Sequence, residues 1–131
     1  MRSLFTKFLL LLAFTIPAAA VNAQSPQRVK IRMNVEVSTK SGLRVKFAEV
    51  VNDSRCPAGV NCVWAGNAQI KIRVRAKNTK PETFILNTAL EPKAITYKGY
   101  DFKIVDLGSL SKNDENRSNY RVTLEITRKR T

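Results

Sequence analysis

The chain has 131 residues, with 23 Lys and Arg against 10 Asp and Glu, two Cys and no His. That length suits one domain. Without histidine there is no Ser-His-Asp triad, no histidine-ligated zinc or haem and no imidazole base, and two cysteines cannot build a four-thiolate metal site.

Residues 1–23 read as a signal peptide. Arg2 and Lys7 form a positive start, residues 8–16 an apolar run broken only by Thr15, and residues 18–23 a small-residue stretch ending in Val21-Asn22-Ala23. Cleavage after Ala23 starts the mature chain at Gln24. A spanning helix needs about 20 apolar residues, roughly twice this run, so no transmembrane anchor is expected to remain. No cysteine follows the run, which argues against a lipoprotein. The expected location is periplasmic or secreted, with residues 24–131 as a single β domain. Removing Arg2 and Lys7 from 23 basic residues leaves 21 against 10, a net charge of +11. In the mature stretch Val and Ile number 18 against six Leu, and stiff β-branched side chains suit a pleated surface.

Alternation with period two runs through that stretch. The first predicted strand, 28–37, sends Val29, Ile31, Met33, Val35 and Val37 one way and Arg28, Lys30, Arg32, Asn34 and Glu36 the other. The second, 43–51, has Leu43, Val45 and Phe47 inward, with Arg44 and Lys46 outward; its Val50-Val51 pair suggests a bulge. The third, 69–76, alternates Ile70, Ile72, Val74 and Ala76 with Gln69, Lys71, Arg73 and Arg75. Shorter strands are expected at 82–87 and 94–98, then longer ones at 100–107 and 119–127, the last with Tyr120, Val122, Leu124 and Ile126 on one parity. Ser41-Gly42 and Lys98-Gly99 fit tight hairpin turns. Two connections are long, 52–67 and 108–118. Seven short strands, each with one apolar side, predict an all-β antiparallel two-sheet sandwich of immunoglobulin-like size, or alternatively a small barrel.

The connection before the third strand is the densest local signal: Asp53-Ser54-Arg55-Cys56-Pro57-Ala58-Gly59-Val60-Asn61-Cys62-Val63-Trp64-Ala65-Gly66-Asn67-Ala68. In an oxidising compartment Cys56 and Cys62 are expected to pair. Their spacing does not fit a C-x-x-C redox site. Asp53 can cap its own backbone in an Asx turn. The connection reads either as a staple between strands or as a rigid loop offered to a partner. Trp64 reads as a core plug packed on the disulfide or as a contact residue, and Arg55 as the charge partner of Asp53 or as an interface arginine.

The string D-S-R-C-P-x-x-V-x-C-V-W-A-G-N-A, followed by an alternating strand, resembles a motif of small exported bacterial proteins and lipoproteins of uncharacterised function. The resemblance covers about residues 47–74. It implies export, a disulfide and a β fold, and it brings no catalytic residue with it.

Arg28, Lys30, Arg32, Arg44, Lys46, Lys71, Arg73 and Arg75 share the solvent parity of the three long early strands. If those strands are neighbours, the eight cations form one plate that draws in anions: an anionic envelope polymer, lipid head groups or an acidic protein. The competing reading is a solvated face that discourages strand pairing between copies. Nucleic acid fits less well, because no aromatics are interleaved for base stacking. Glu49 and Asp106 stand at inward parity and are the one candidate pair for carboxylate chemistry such as glycoside hydrolysis. No phosphate loop, metal-ligand cluster or cofactor motif is present. The first expectation is a non-enzymatic exported module that binds an anionic envelope component. A protein-interaction or inhibitor module using the Cys56–Cys62 loop is the alternative, and a carboxylate-based hydrolase comes third.

Overall fold

The computed structural model describes residues 24–57, 59–108 and 119–130. The predicted signal peptide 1–23 and most of the predicted 108–118 connection lie outside the described residues. Eight strands form: β1 (Gln27–Arg32), β2 (Glu36–Ser38), β3 (Arg44–Asp53), β4 (Ala68–Arg75), β5 (Glu82–Asn87), β6 (Ala94–Tyr97), β7 (Tyr100–Leu107) and β8 (Arg121–Arg128). They make two antiparallel sheets of four, ordered β1-β8-β7-β6 and β2-β3-β4-β5. The sheets do not close on each other, so the architecture is the sandwich and not the barrel.

The inward parities meet between the sheets. Val45, Phe47, Ile70, Ile72, Val74 and Leu86 of one sheet are buried with Ile31, Phe102, Val122 and Leu124 of the other. Turn chemistry follows the sequence. Lys98 and Gly99 both take positive φ, 50° and 78°, the type I′ geometry whose twist matches two strands joined by two residues. At the β2–β3 turn Gly42 takes φ 78° and donates its amide to Thr39 O at 3.0 Å, while Thr39 N donates to Leu43 O at 2.8 Å.

The structure departs from the alternation in three places. The strand expected over 28–37 is two strands in different sheets. Asn34, at φ 65°, breaks it, a conformation that Asn tolerates better than most residues. Met33 N donates to Tyr120 O beside one sheet, whereas Asn34 N donates to Phe47 O in the other, at 2.7 Å. Because both halves face the same core, the apolar period runs on through the break and conceals it, yet Val35, expected inward, is turned out beside Asn34 and is exposed. The second departure is in β3, whose register shifts between Phe47 and Glu49 and again between Val50 and Asn52. Each shift moves inward parity by one residue, so Val50 is buried while Glu49 turns outward and pairs with Lys71 at 2.8 Å. The third is a bulge in β7 between Ile104 and Asp106 that turns Asp106 outward in the same way. Glu49 and Asp106 therefore stand on the outer sides of different sheets, and the inward carboxylate pair expected from parity does not form.

Strand directions divide the molecule into two ends. The 33–35, 54–67 and 88–93 connections lie at one end, together with Leu107 and Tyr120. The β2–β3, β4–β5 and β6–β7 turns lie at the other, with the start of β1 and the end of β8.

Candidate functional site

The 54–67 connection rises from a closed neck. Ser54 N donates to Asn67 O at 2.9 Å, and Asn67 N donates to Ser54 Oγ at 3.0 Å. Ser54 Oγ donates to Asn67 O at 3.0 Å, so three hydrogen bonds join the two residues. Gly66 makes this approach possible. Its φ is +69°, and a Cβ built there would stand 2.1 Å from Ser54 O. No side chain fits that gap.

Below the neck, Arg55 spans the gap between the two sheets where β3 and β7 end. Its Nε and Nη2 donate to Oδ1 and Oδ2 of Asp53 at 2.9 and 2.7 Å, and its own amide caps Oδ1 at 3.1 Å, the expected Asx turn. Nη1 donates to Leu107 O at 2.8 Å and Nη2 to Gly108 O at 3.3 Å, both at the end of the opposite sheet. Tyr120 OH donates to Asp53 Oδ2 at 3.0 Å. The Asp53 side chain is 5% exposed and that of Arg55 22%. Burial pushes the Asp53 carboxyl up, yet the hydrogen bonds from Arg55 and Tyr120 together with the guanidinium charge hold it below the usual aspartate range. The same hydrogen bonding raises Arg55. Arg55 is thus the charge partner of Asp53 and a clamp between sheets, with four of its five guanidinium N–H donors occupied.

Asn67 secures the opposite flank. Its Oδ1 accepts from Ala89 N at 2.9 Å and Leu90 N at 3.3 Å, and its Nδ2 donates to Asn87 Oδ1 at 2.9 Å. Thr88 Oγ1 accepts from Ala68 N at 2.9 Å. The Cys56–Cys62 disulfide forms, with a Cα–Cα distance of 5.8 Å, and closes the outer part of the loop. A disulfide is compatible with an oxidising, exported location.

On this base Trp64 is 62% exposed, so it is not the plug of the core. Its Nε1 donates to Ser54 O at 3.4 Å, which directs the indole across the neck. Val63 beside it is 96% exposed, and Leu90, on the segment held by Asn67, is 62% exposed. Among the described residues the other exposed large apolar ones are Val35, Val51 and Val105. All six belong to this end of the sandwich, and Val51 and Val105 are the residues extruded by the β3 and β7 bulges. Comparison of the chain with protein-family models, curated proteins and solved structures gives no match.

The eight outward cations do not form one plate. Arg28, Lys30 and Arg32 lie on β1 in one sheet, whereas Arg44, Lys46, Lys71, Arg73 and Arg75 lie on β3 and β4 in the other, so they face away from each other. Several are also neutralised. Glu36 takes Arg75 at 2.7 Å and Arg44 at 3.4 Å, relieving the like charges that register sets opposite each other, and its carboxyl is lowered chiefly by the Arg75 hydrogen bond. Arg28 pairs with Glu125 at 3.0 Å. Lys46 and Arg73, opposite each other, and Lys30 and Arg32 form no ion pair among the described residues. The sequence pointed to Arg55 and Trp64 in the loop. It did not single out Ser54, Gly66, Asn67, Val63 or Leu90, although Gly66-Asn67 directly before a strand is a turn signal that marks the neck.

Proposed function

We propose that this chain is an exported binding module that recognises a protein partner through the tip of the 54–67 connection. One observation carries the reading: Trp64 and Val63 are exposed on a loop whose base is locked by a buried ion pair and a three-bond neck and whose outer part is closed by a disulfide. A mobile loop loses conformational freedom on binding, but one ordered beforehand loses little. Tryptophan supplies a large contact area with two torsions to fix, which is why it recurs among the residues that dominate interfaces. Leu90 and the bulge-extruded Val51 and Val105 add apolar surface at the same end. Contacts of this kind are driven by burial and tolerate salt, unlike the sheet-face attraction of anions expected from composition.

The test uses immobilised residues 24–131, which hold all eight strands, offered envelope extract of the host and washed at high salt. Trp64→Ala with Val63→Ser is compared with the parent, and Lys46→Gln with Arg73→Gln serves as the charge control. The same protein should be retained by the parent and the control and bind the loop variant roughly 30-fold or more weakly. Purified, that partner should shift the emission of Trp64, the single tryptophan of the chain, toward the blue as water leaves the indole. Equal retention by the loop variant refutes the reading.

A further inference from the structure

The end of the sandwich opposite the disulfide loop has a different chemistry. Its turns carry Lys40 between β2 and β3, Lys77 and Lys80 between β4 and β5, and Lys98 between β6 and β7. Arg128, Lys129 and Arg130 complete it where β8 ends. None of these seven cations forms an ion pair among the described residues, and the turns that hold them contain no carboxylate. The register makes the cluster spatial. Arg44 opposite Arg75 sets the β2–β3 and β4–β5 turns side by side, and Tyr100 opposite Arg128 with Lys129 N donating to Gly99 O at 2.9 Å joins the other two segments. Lys40 N donates to Gln27 Oε1 at 2.8 Å, which ties the two sheets together at this end.

A groove of about 240 Å³ opens here, with Lys40, Arg128 and Tyr100 among its walls and Ile126 at its apolar side. No carboxylate among the described residues lines it. Ser41 is not a donor to it. The Thr39 hydroxyl donates to Leu43 O at 3.0 Å, so the 2.7 Å contact between the two hydroxyls takes its proton from Ser41. Lys40, Arg128 and Tyr100 line the groove and carry donors with no ion pair or side-chain hydrogen bond among the described residues; together with the side chains of Gln24, Ser25 and Gln27 they make a donor-rich lining suited to one phosphate. The volume is below the roughly 300–1,000 Å³ of pockets for drug-sized ligands, so it takes one head group and not a larger molecule.

We propose that this end binds the phosphate-bearing head groups of an anionic lipid surface. One feature favours a surface over a single chain of anions: the cations are spread over four segments around one end of the sandwich and do not follow a line. Docked end-on, the protein holds its Trp64 tip away from the lipid.

Each Lys or Arg held close to an anionic lipid surface strengthens binding roughly fivefold. The test measures sedimentation of residues 24–131 with vesicles of phosphatidylcholine, and of phosphatidylcholine with equimolar phosphatidylglycerol, at about 150 mM salt, where the screening length is about 8 Å. Binding is expected to the anionic vesicles alone. Lys77→Gln, Lys80→Gln, Lys98→Gln and Lys129→Gln together should weaken it by about two to three orders of magnitude. Lys30→Gln, Arg32→Gln, Lys46→Gln and Arg73→Gln, with the same loss of charge on the sheet faces, should weaken it by less than about tenfold. Arg128→Gln tests the groove and should weaken binding beyond the loss of one charge. Soluble glycerophosphate in excess should compete only weakly if the surface is the target; full competition would make a free phosphate the ligand and overturn the lipid assignment. Equal loss in the two quadruple variants, or no binding to anionic vesicles, overturns it as well.

Discussion

Replacing Gly66 with alanine should destabilise the protein far more than the same change at Gly42, although both glycines have positive φ, +69° and +78°. At Gly42 nothing lies within 4 Å of the added methyl, so the penalty is the left-handed backbone alone, about 1 kcal/mol. At Gly66 the methyl would lie 2.1 Å from Ser54 O and 2.7 Å from Arg55 Cα. Both neighbours are backbone and cannot swing aside, so the neck must open. Opening it gives up the three Ser54–Asn67 hydrogen bonds, about 1 kcal/mol each, in addition to the backbone penalty. The sum is about 4 kcal/mol at Gly66 against about 1 at Gly42. At about 4 °C per kcal/mol for a domain near this size, the melting midpoints should fall by about 16 and 4 °C. Guanidinium denaturation of the oxidised protein gives the same comparison at constant temperature. Equal losses in the two variants would refute the reasoning, because they would mean that the neck is not closed in solution.

Protonation of Asp53 should contribute to acid unfolding. Its folded-state value lies below the ordinary aspartate value of 3.8, so its stabilising contribution is complete above that pH and is lost as pH falls through the lowered value. Asp53→Asn should therefore be less stable than the parent at neutral pH, with the gap narrowing below pH 3.8; a gap constant with pH would refute the assignment. Glu36 shifts in the same direction, so Glu36→Gln serves as the parallel control. Arg55→Ala leaves Asp53 buried without its charge partner and should cost about 3 kcal/mol in a denaturant titration. Reduction of Cys56–Cys62 should cost about 2 kcal/mol in the chain-entropy account while the sheet signal in circular dichroism persists, since the neck and Arg55 do not depend on the bridge. Trp64 should emit as a hydrated indole in the native protein and shift little on unfolding, whereas a core tryptophan would shift strongly to the red.

Much of the fold was legible because burial on one face imposes a period of two, and β4, β5, β7 and the Lys98-Gly99 turn stand where alternation and turn chemistry place them. What escaped was the assignment of strands to sheets. Residues 28–37 keep one apolar period in sequence while crossing from one sheet to the other at Asn34, but Val35, expected inward, is exposed just past the crossing, and hydropathy leaves no mark of either. The single cationic plate failed for the same reason, since solvent parity does not say which of two outer faces a side chain occupies. The β3 and β7 bulges are non-local events, each a mismatch between neighbouring strands, and Val50-Val51 was the only local trace. In the loop, the Asp53–Arg55 pair was readable from proximity along the chain. The role of Tyr120, 67 residues away from Asp53, and that of Asn67 toward the 88–90 segment follow from topology alone.

A connection of 14 residues between two strands is ordinarily the first part of a domain to open, cheaply and without disturbing the rest. Here the base of that connection is fastened to the ends of both sheets: Arg55 to Leu107 and Gly108, Tyr120 to Asp53, and Asn67 to residues 87–90. Opening it means fraying β7, β8 and the β5–β6 crossover together, so its fluctuations are merged with those of the core. The amides of Ser54 and Asn67 at its base are therefore expected to exchange with solvent far more slowly than those of an ordinary long surface connection.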